Sequence, residues 1–208
     1  MVKKGIRGRP REFDLNEALD KAVEVFWELG YEAADTATLS ARMGLSKPSI
    51  YNSFGSKEDL FLMALQRYQE TVSKKSVKAL MEAQTPQEGL QEYFSITAQA
   101  VSGQGKPSGC MFICVAIPIA QLLPNVAAVV NESMKIGKER MTAYFETHVK
   151  KGSIPSTFNT SAAVALMQDL FIAMSTQGRL GASLKDLEEY AARNAKLVML
   201  EGNRSLPQ

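Results

Sequence analysis

The sequence predicts an all-α protein in which a short N-terminal three-helix unit precedes a larger helical region. Apolar residues recur at spacings of three and four along most of the chain, which is the period of an amphipathic helix. Capping residues and breaks at glycine or proline separate these periodic segments. No later stretch alternates apolar and polar residues as a half-buried strand does.

The composition is that of a globular chain with an uneven distribution of charge. Of its 208 residues, 45% are hydrophobic, which is enough for a sizeable core. The net charge of +2 conceals a contrast, because residues 1–11 hold five basic residues and no acidic one. Residues 12–60 hold four basic and ten acidic residues, a net charge of −6. Affinity for nucleic acid would therefore have to come from a locally basic surface and from the N-terminal arm.

Cysteine usage and hydropathy indicate a compartment. Cys110 and Cys114 are too close in sequence to staple a fold, and no signal peptide precedes them, so we expect a reducing cytoplasm. The longest apolar run, residues 111–120, contains Pro118 and is far shorter than the ~20 residues that cross a bilayer. We therefore expect no membrane segment.

Residues 1–13 are predicted to form a flexible basic arm, because glycine and proline lie between its arginines. Gly8-Arg9-Pro10 resembles the core of an AT-hook, whose arginines lie along the minor groove of DNA. The alternative is a disordered basic tail with only non-specific attraction for DNA.

The first predicted helix begins after Asp14, whose side chain can cap it, and ends at Gly30. We expect Trp27 to lie in the core, with the acidic side chains facing solvent. The apolar residues that recur at helical spacing are Leu15, Ala18, Leu19, Ala22, Val23, Phe26 and Trp27.

Residues 36–59 predict two short helices joined by a tight turn. Leu39 and Met43 share a face of the first helix, and Gly44 can adopt the left-handed conformation that ends it. Ser46 can then cap the second helix.

The second of these helices is short and sharply started. Pro48 falls in its first turn, where a missing N–H costs little. Ile50 and Phe54, four residues apart, face inward. A capping box between Ser56 and Asp59 then starts a third helix at once.

These motifs carry a resemblance to a known family. The chain resembles the DNA-binding domain of the tetracycline-repressor (TetR/AcrR) family of bacterial transcriptional regulators in Gly30-Tyr31, Leu39, Gly44-Leu45-Ser46-Lys47, Ile50-Tyr51, Phe54 and Ser56-Lys57-Glu58-Asp59-Leu60-Phe61. The resemblance implies a helix-turn-helix DNA-binding domain over residues 14–56 and a larger helical ligand-binding and dimerisation domain over residues 57–208. The alternative is an ordinary helical hairpin with the same turn chemistry.

The resemblance also implies which residues contact double-stranded operator DNA. Arg9 and Arg11 would lie along the minor groove. Ser49 and Asn52 would read bases, since asparagine suits adenine in the major groove. Pro48 lies on the same short helix and belongs to the expected contact surface. The residues expected to hold phosphates are Thr36, Thr38, Lys47, Tyr51 and Lys57.

The remainder of the chain is predicted to be helical throughout. A helix from Lys57 reaches the low 80s, and a second begins at Thr85-Pro86 and ends in the loop 102–109. A helix from Gly109 is expected to be interrupted by Pro118 and Pro124. The later helices are predicted over residues 125–151, 160–178 and 183–202, the last opened by a capping box between Ser183 and Asp186.

Residues 162–174 contain only Gln168 and Asp169 as polar members, so we expect this helix to be buried on two faces. One face can pack on its own domain and the other on a second chain, which gives a four-helix interface between two copies, as the resemblance also implies. The alternative is an internal helix of a monomer. The predicted interface residues are Leu166, Leu170, Phe171, Leu187, Ala191 and Ala195.

Few residues point to catalysis. His148 is the only histidine, and no cysteine or acidic cluster at metal-ligand spacing accompanies it, so no metal site is predicted. The chain offers no nucleophile, base and orienting group together, and no Gly-rich phosphate loop follows a strand. We expect neither enzymatic activity nor a cofactor.

Cys110 follows Ser108-Gly109 at a predicted helix start, where the helix dipole and free N–H groups can stabilise a thiolate. A redox or electrophile sensor acting through Cys110 is therefore one interpretation. The favoured one is that Cys110 and Cys114 are small buried apolar residues.

The combined prediction is a DNA-binding transcriptional regulator and homodimer, a repressor released from its operator by a small-molecule inducer. The alternative is a regulator that senses through the Cys110 thiol. The inducer cavity is expected among the middle helices, with walls of Tyr68, Tyr93, Phe94, Cys110, Met111, Cys114, Met134, Met141, Phe145, His148, Phe171 and Met174.

Overall fold

The computed structural model describes residues 14–204, and every regular element in that range is helical. This confirms the predicted all-α class. Two π-helical turns, Gln69–Ser73 and Phe112–Ala116, directly precede the fifth and seventh helices. The helices are α1 Leu15–Ala33, α2 Thr36–Met43, α3 Lys47–Phe54, α4 Lys57–Tyr68, α5 Lys74–Glu82, α6 Pro86–Val101, α7 Ile117–Ala120, α8 Pro124–Lys150, α9 Thr160–Arg179 and α10 Leu184–Gly202.

The N-terminal helices form the predicted helix-turn-helix arrangement. Asp14 and Ser46 cap α1 and α3 as expected, and Asp35 caps α2. Gly44 ends α2 in the left-handed conformation, with φ +69°. Gly30, with φ +81°, breaks α1, but one further turn follows to Ala33. The first helix therefore ends one turn later than the sequence predicted.

Helix α4 shares the core of the helix-turn-helix. Leu60 and Phe61 are fully buried, and the Phe61 ring packs edge-on against Phe26 of α1 at a centroid distance of 4.9 Å. The same apolar core continues into residues 110–116 and into the first turns of α8 at Val126. A single core therefore joins the N-terminal helices to the middle of the chain.

One continuous helical rod runs from Lys57 to Glu82, as predicted. Its α-helical halves, α4 and α5, are joined by the π-helical turn Gln69–Ser73. A π-helical turn widens a helix locally and often occurs at functional sites. The lower half of the rod, α4, belongs to the N-terminal core, and the upper half, α5, packs on α6.

Helices α6, α9 and α10 form the second core. Helix α5 packs on α6, and helix α8 packs on α9. Gly178 permits the closest approach of α9 to α6, because a Cβ at this position would lie 2.3 Å from the Val101 carbonyl oxygen. This approach brings the last turn of α9 beside the start of the loop 102–109.

The prediction for Pro118 was wrong. A helix runs without a break from Met111 to Ala120, and Pro118 lies inside it. The π-helical turn ends at Ala116, so Pro118 falls in the first turn of α7. The hydrogen-bonding pattern already changes there from π-helical to α-helical, so the missing N–H of Pro118 does not interrupt a regular series of α-helical hydrogen bonds. Of the helices between residues 14 and 204, none combines the length and the apolar character needed to cross a membrane.

Candidate DNA-binding surface and ligand cavity

Helix α3 has one buried side, and the orientation of that side determines which side chains of the helix face solvent. Ile50 and Phe54 are each 3% exposed and lie on the buried side of α3, which packs on α2 and α4. Lys47, Pro48 and Asn52 are exposed, Tyr51 is half-exposed and Ser49 is partly buried. The predicted contact residues of α3 therefore all reach the same open surface of the protein.

Hydrogen bonds hold several of these side chains in place. The Tyr51 hydroxyl lies 3.1 Å from the Thr36 hydroxyl, which joins α3 to the first turn of α2. The Ser49 and Ser46 hydroxyls are 2.8 Å apart. Thr38 contributes its backbone N–H to the Asp35 carboxylate at 2.7 Å. These contacts preorganise hydroxyl groups that can bind phosphate or base edges.

Basic side chains are scarce on this surface. Lys21 pairs with Glu17 at 2.9 Å, and Arg42 pairs with Glu28 at 2.8 Å. Within residues 14–60, Lys47 forms no ion pair by the same distance criterion. Its positive charge does help to lower the pKa of the neighbouring Asp35, after the hydrogen bonds from Thr38.

Lys57 is held within the chain. Its Nζ donates to the Glu32 carbonyl oxygen at 3.3 Å and lies 4.5 Å from the centre of the Tyr31 ring. A phosphate contact by Lys57 would therefore have to share or replace these partners. The other two predicted DNA-contacting residues, Arg9 and Arg11, lie outside the described residues.

A cluster around Arg179 joins the two cores, and we call it the Arg179 clamp. Arg179 Nη1 donates to the Trp27 carbonyl oxygen at 2.8 Å and to the Ser108 carbonyl oxygen at 3.3 Å, while Nη2 donates to the Glu28 carbonyl oxygen at 3.2 Å. Gly30 interrupts the helical conformation inside α1. The guanidinium from α9 binds the carbonyl groups that lie two and three residues before this interruption.

The Trp27 side chain completes the clamp from the other direction. Trp27 lies in the core as predicted, and its indole N–H donates to the Gly109 carbonyl oxygen at 2.9 Å. Gly109 has φ +74°, and a Cβ there would lie 2.7 Å from the Cys114 sulfur. The Trp27 ring also packs edge-on against Tyr68 at 4.9 Å. The end of α1 is thus bound directly to the segment that precedes Cys110.

A cavity of about 360 Å³ lies among the middle helices, where one was expected. The π-helical turn Gln69–Ser73 and the start of α5 form one wall, and α6, α8, α9 and the segment after Gly109 form the others. Five of the predicted residues line it: Tyr93, Cys110, Met134, Met141 and Phe171. The volume is in the range of small-molecule sites.

The other predicted cavity residues lie elsewhere. Tyr68 is enclosed between Trp27 and Phe112, where burial raises the pKa of its hydroxyl well above the usual value. Cys114 is half-buried, and its sulfur contacts the Ser175 carbonyl oxygen at 3.6 Å. Four more are packed into the cores instead of lining the cavity: Phe94, Met111, Phe145 and Met174.

His148 borders a separate, smaller cavity of about 170 Å³ near the end of α8. Its ring packs edge-on against Tyr144 at 4.7 Å, and its Nδ1 has no hydrogen-bond partner among residues 14–204. Burial, helped by the charge of Lys151, lowers the pKa of the imidazole. His148 therefore belongs to a different site from the larger cavity.

The thiol environment is opposite to the one expected from a helix start. Cys110 is 3% exposed, and burial raises the pKa of its thiol despite hydrogen bonds that favour the thiolate. Burial also raises the pKa of the Cys114 thiol. Desolvation outweighs the helix terminus here, so neither thiol is activated in this conformation.

The predicted interface residues divide into two groups. Leu187, Ala191 and Ala195 are at most 3% exposed and pack in the second core, so the placement of these three residues on an outer face is corrected. Phe171 lines the cavity, while Leu166 and Leu170 are partly exposed. Helix α10 instead exposes Leu197 and, more fully, Leu200.

Sequence reasoning missed most of the polar cavity wall and the Arg179 clamp. No local signal marks Arg179, because its three acceptors are backbone carbonyls more than 70 positions away. The basic residues Lys74 and Arg140 could have been found only by placing α5 beside α8. The cavity residues that were not predicted are Gln69, Glu70, Ser73, Lys74, Val77, Phe112, Ile113, Ser133, Ile136, Gly137, Arg140 and Gln168.

Comparisons with known proteins agree on one family. Residues 18–64 match the family model described as bacterial regulatory proteins, tetR family. The repressor ComR of Escherichia coli (strain K12) is 29% identical over 197 residues, covering 94% of this chain and 93% of ComR. The regulator YezE of Bacillus subtilis (strain 168) is 32% identical over 110 residues, which cover 53% of this chain and 57% of YezE.

Among solved structures, a cysteine mutant of the TetR family regulator CifR, in complex with 26-base-pair operator DNA, superposes with a TM-score of 0.83. It is 25% identical and covers 90% of this chain and 98% of the CifR chain.

The Arg179 clamp generates the first testable prediction. Arg179→Met leaves three carbonyl groups without their donor, and because hydrogen bonds to charged groups contribute ~1.5–3 kcal/mol, we expect a loss of stability of that order. Trp27 is the only tryptophan, so its emission should shift to longer wavelength as its surroundings open to water. Urea unfolding and fluorescence at one protein concentration measure both effects.

Arg193→Met is the matched control, because Arg193 is exposed on α10 and contacts the Tyr190 ring. Unchanged stability and emission in Arg179→Met would show that the clamp contributes nothing.

Thiol reactivity is the second prediction. Because burial raises the pKa of both thiols, iodoacetamide at neutral pH should alkylate each more slowly than free cysteine, and the half-buried Cys114 before Cys110. Mass spectrometry of Cys110→Ser and Cys114→Ser variants assigns the rates. A Cys110 that reacts faster than free cysteine would reverse our view of this thiol.

Proposed function

Because the chain belongs to the TetR family of bacterial regulatory proteins, we propose that it is a transcriptional repressor that a small-molecule ligand releases from operator DNA. Two similar proteins, ComR and BdcR of Escherichia coli (strain K12), are named repressors, which supports repression over activation. Operator DNA in the CifR complex supports the partner. The proposed action takes place where bacterial chromosomal DNA lies, in the cytoplasm.

The observation that carries this proposal is the helical rod from Lys57 to Glu82. Its first turn follows α3 after two residues, and its π-helical turn forms a wall of the cavity. Phe61 and Leu65 fix the lower half of the rod to the N-terminal core. A ligand that shifts the π-helical turn in the cavity wall therefore acts on the same helical rod that positions α3.

For DNA recognition, we propose that α3 enters the major groove and that Ser49 and Asn52 read bases. Lys47, Tyr51, Thr36 and Thr38 would bind phosphates around them. Lys57 would bind a phosphate by sharing or replacing its contacts with the Glu32 carbonyl oxygen and the Tyr31 ring, and Pro48 would lie against the DNA backbone. In the N-terminal arm, Arg9 and Arg11 would lie along the minor groove.

The proposed active form is a homodimer, in which two copies of α3 must sit about 34–36 Å apart to enter successive major grooves. The partly exposed Leu166 and Leu170 of α9 support an interface with Leu197 and Leu200 of α10. Helices α9 and α10 are joined by a short turn and pack together, so the start of α9 lies beside the end of α10. A stable interface buries about 1,200–2,000 Å² in total.

Release would follow from a change in the separation of the two recognition helices. A ligand that binds better when the rod is tilted shifts the population to a dimer that no longer fits the operator. It can do so only by its difference in affinity between the two states, and operator DNA must weaken ligand binding by the same factor. Release through oxidation of Cys110 was the alternative, and the raised pKa of that thiol disfavours it.

The third prediction separates base contacts from phosphate contacts. Lys47→Ala should weaken binding to the upstream region of its own gene and to a random duplex alike, because a phosphate contact is independent of sequence. Asn52→Ala should instead lose mainly the operator preference, by ~1–3 kcal/mol for a bidentate base contact. Fluorescence anisotropy with both duplexes at one salt concentration measures the difference.

Lys78→Ala, an exposed lysine far along the rod, controls for the loss of one charge. No preference of the unmodified protein for the upstream region over the random duplex would contradict the proposed function. An equal loss on both duplexes for Asn52→Ala would remove its role as a base reader.

The fourth prediction concerns the dimer. Leu200→Glu places a charge on a side chain that is 66% exposed in the single chain, so it should leave the fold intact and yield monomers. Leu122→Glu is a matched control, because Leu122 is 72% exposed in the turn before α8. Sedimentation velocity measures the state of each. A Leu200→Glu variant that remains dimeric would exclude this interface.

A further inference from the structure

The rim of the larger cavity has a charge pattern that points to one class of ligand. Lys74 and Arg140 are exposed on the rim, and neither forms an ion pair with any residue between 14 and 204. Glu70 is the single acidic residue of the lining, and its carboxylate accepts a hydrogen bond from Gln66 at 3.3 Å. The rim therefore carries a net positive charge, which attracts anions and repels cations.

The buried part of the cavity lining is apolar apart from the Tyr93 hydroxyl and the Cys110 thiol. Phe112, Ile113 and Met141 are each at most 9% exposed, and they offer carbon surface to a ligand. Tyr93, which carries the hydroxyl, is 3% exposed and lines the cavity. Burial raises the pKa of this hydroxyl, so it keeps its proton and can donate to an acceptor inside the cavity.

The size of the cavity narrows the class further. Its 360 Å³ lies near the lower end of the range of about 300–1,000 Å³ for ligand sites. A molecule of two or three rings fits such a volume, whereas a long acyl thioester of a nucleotide cofactor does not. The exposed rim of the cavity is charged and the buried part of its lining is mainly apolar. A matching ligand therefore has one charged group and one apolar part.

We propose that this cavity takes a small amphipathic anion, whose apolar ring system lies against Phe112, Ile113 and Met141 and whose single acidic group lies between Arg140 and Lys74. The inference deepens the proposed function, on which it rests for the effect of the ligand on operator binding. A neutral ligand would gain no attraction from the two rim cations. A cationic ligand would have to overcome their repulsion.

A matched pair of fluorescent probes tests the charge preference directly. The anion 1-anilinonaphthalene-8-sulfonate and the neutral N-phenyl-1-naphthylamine share one ring system and differ by the sulfonate. We expect one anion bound per chain, at least about tenfold more tightly than the neutral probe, or ~1.4 kcal/mol. Equal or tighter binding of the neutral probe would overturn the proposal.

Variants of the rim identify the source of that preference. The double variant Lys74→Gln/Arg140→Gln should bind the anion at least about tenfold more weakly, or ~1.4 kcal/mol, and leave the neutral probe unaffected. Lys78→Gln/Lys138→Gln removes two exposed charges from the same two helices outside the cavity, so it should change neither affinity. An equal effect of both double variants would show mere attraction to a basic surface and overturn the proposal.

A steric variant locates the bound probe. Gly137 lines the cavity on α8, and a Cβ there meets nothing within 4 Å, so Gly137→Phe can fill the cavity without backbone strain. It should abolish binding of both probes, whereas Ala128→Phe on an exposed position of α8 should not. Circular dichroism confirms that both variants are folded. Anion binding that survives Gly137→Phe would place the site elsewhere.

Operator binding is measured separately, so that the two proposals fail independently. If the anion binds with the expected charge preference but leaves the protein on its operator, ligand-induced release fails and the ligand class stands. If the charge preference is absent while operator DNA is bound normally, the ligand class fails and the DNA-binding function stands.

Discussion

The guanidinium of Arg179 holds together three parts of the chain that are distant in sequence. It binds carbonyl groups of Trp27 and Glu28 at the end of α1 and of Ser108 in the loop after α6. Both α1 carbonyl groups lie just before Gly30, whose positive φ interrupts the helical conformation inside α1. The orientation of the helix-turn-helix relative to the C-terminal helices therefore depends on a residue of α9.

The clamp and the cavity share a boundary. Gly109 accepts the Trp27 indole N–H, and the next residue, Cys110, already lines the cavity. The π-helical turn of the rod is a second boundary, since Gln69 lines the cavity and binds Ser133 of α8. Coupling between two sites typically amounts to ~1–3 kcal/mol. Hydrogen bonds to a charged group contribute ~1.5–3 kcal/mol, so loosening the clamp alone is of the right size to transmit a ligand signal.

The proposed DNA-binding surface carries little free positive charge. The charges of Lys21 and Arg42 are paired with acidic neighbours, and the Lys57 ammonium group lies over the Tyr31 ring. Lys47 forms no ion pair within residues 14–60, so in the proposed complex it would provide most of the phosphate attraction of the helix-turn-helix. Sequence-independent attraction scales with the number of phosphates neutralised. Such a surface favours recognition that depends on preorganised polar contacts, with the basic arm as the second source of charge.

Local chemistry in the sequence determined the helices and the side of α3 that stays open. Caps such as Ser46 and Ser56, the left-handed Gly44 and the spacing of Ile50 and Phe54 act within a few residues, so they can be read without a structure. The sequence also indicated an apolar cavity among the middle helices. It could not separate wall from core, because Tyr93 and Phe94 are adjacent buried aromatic residues and only Tyr93 lines the cavity. The Arg179 clamp, the inward placement of Leu187 and the basic rim were decided by tertiary structure alone, because each depends on which distant helix packs beside it.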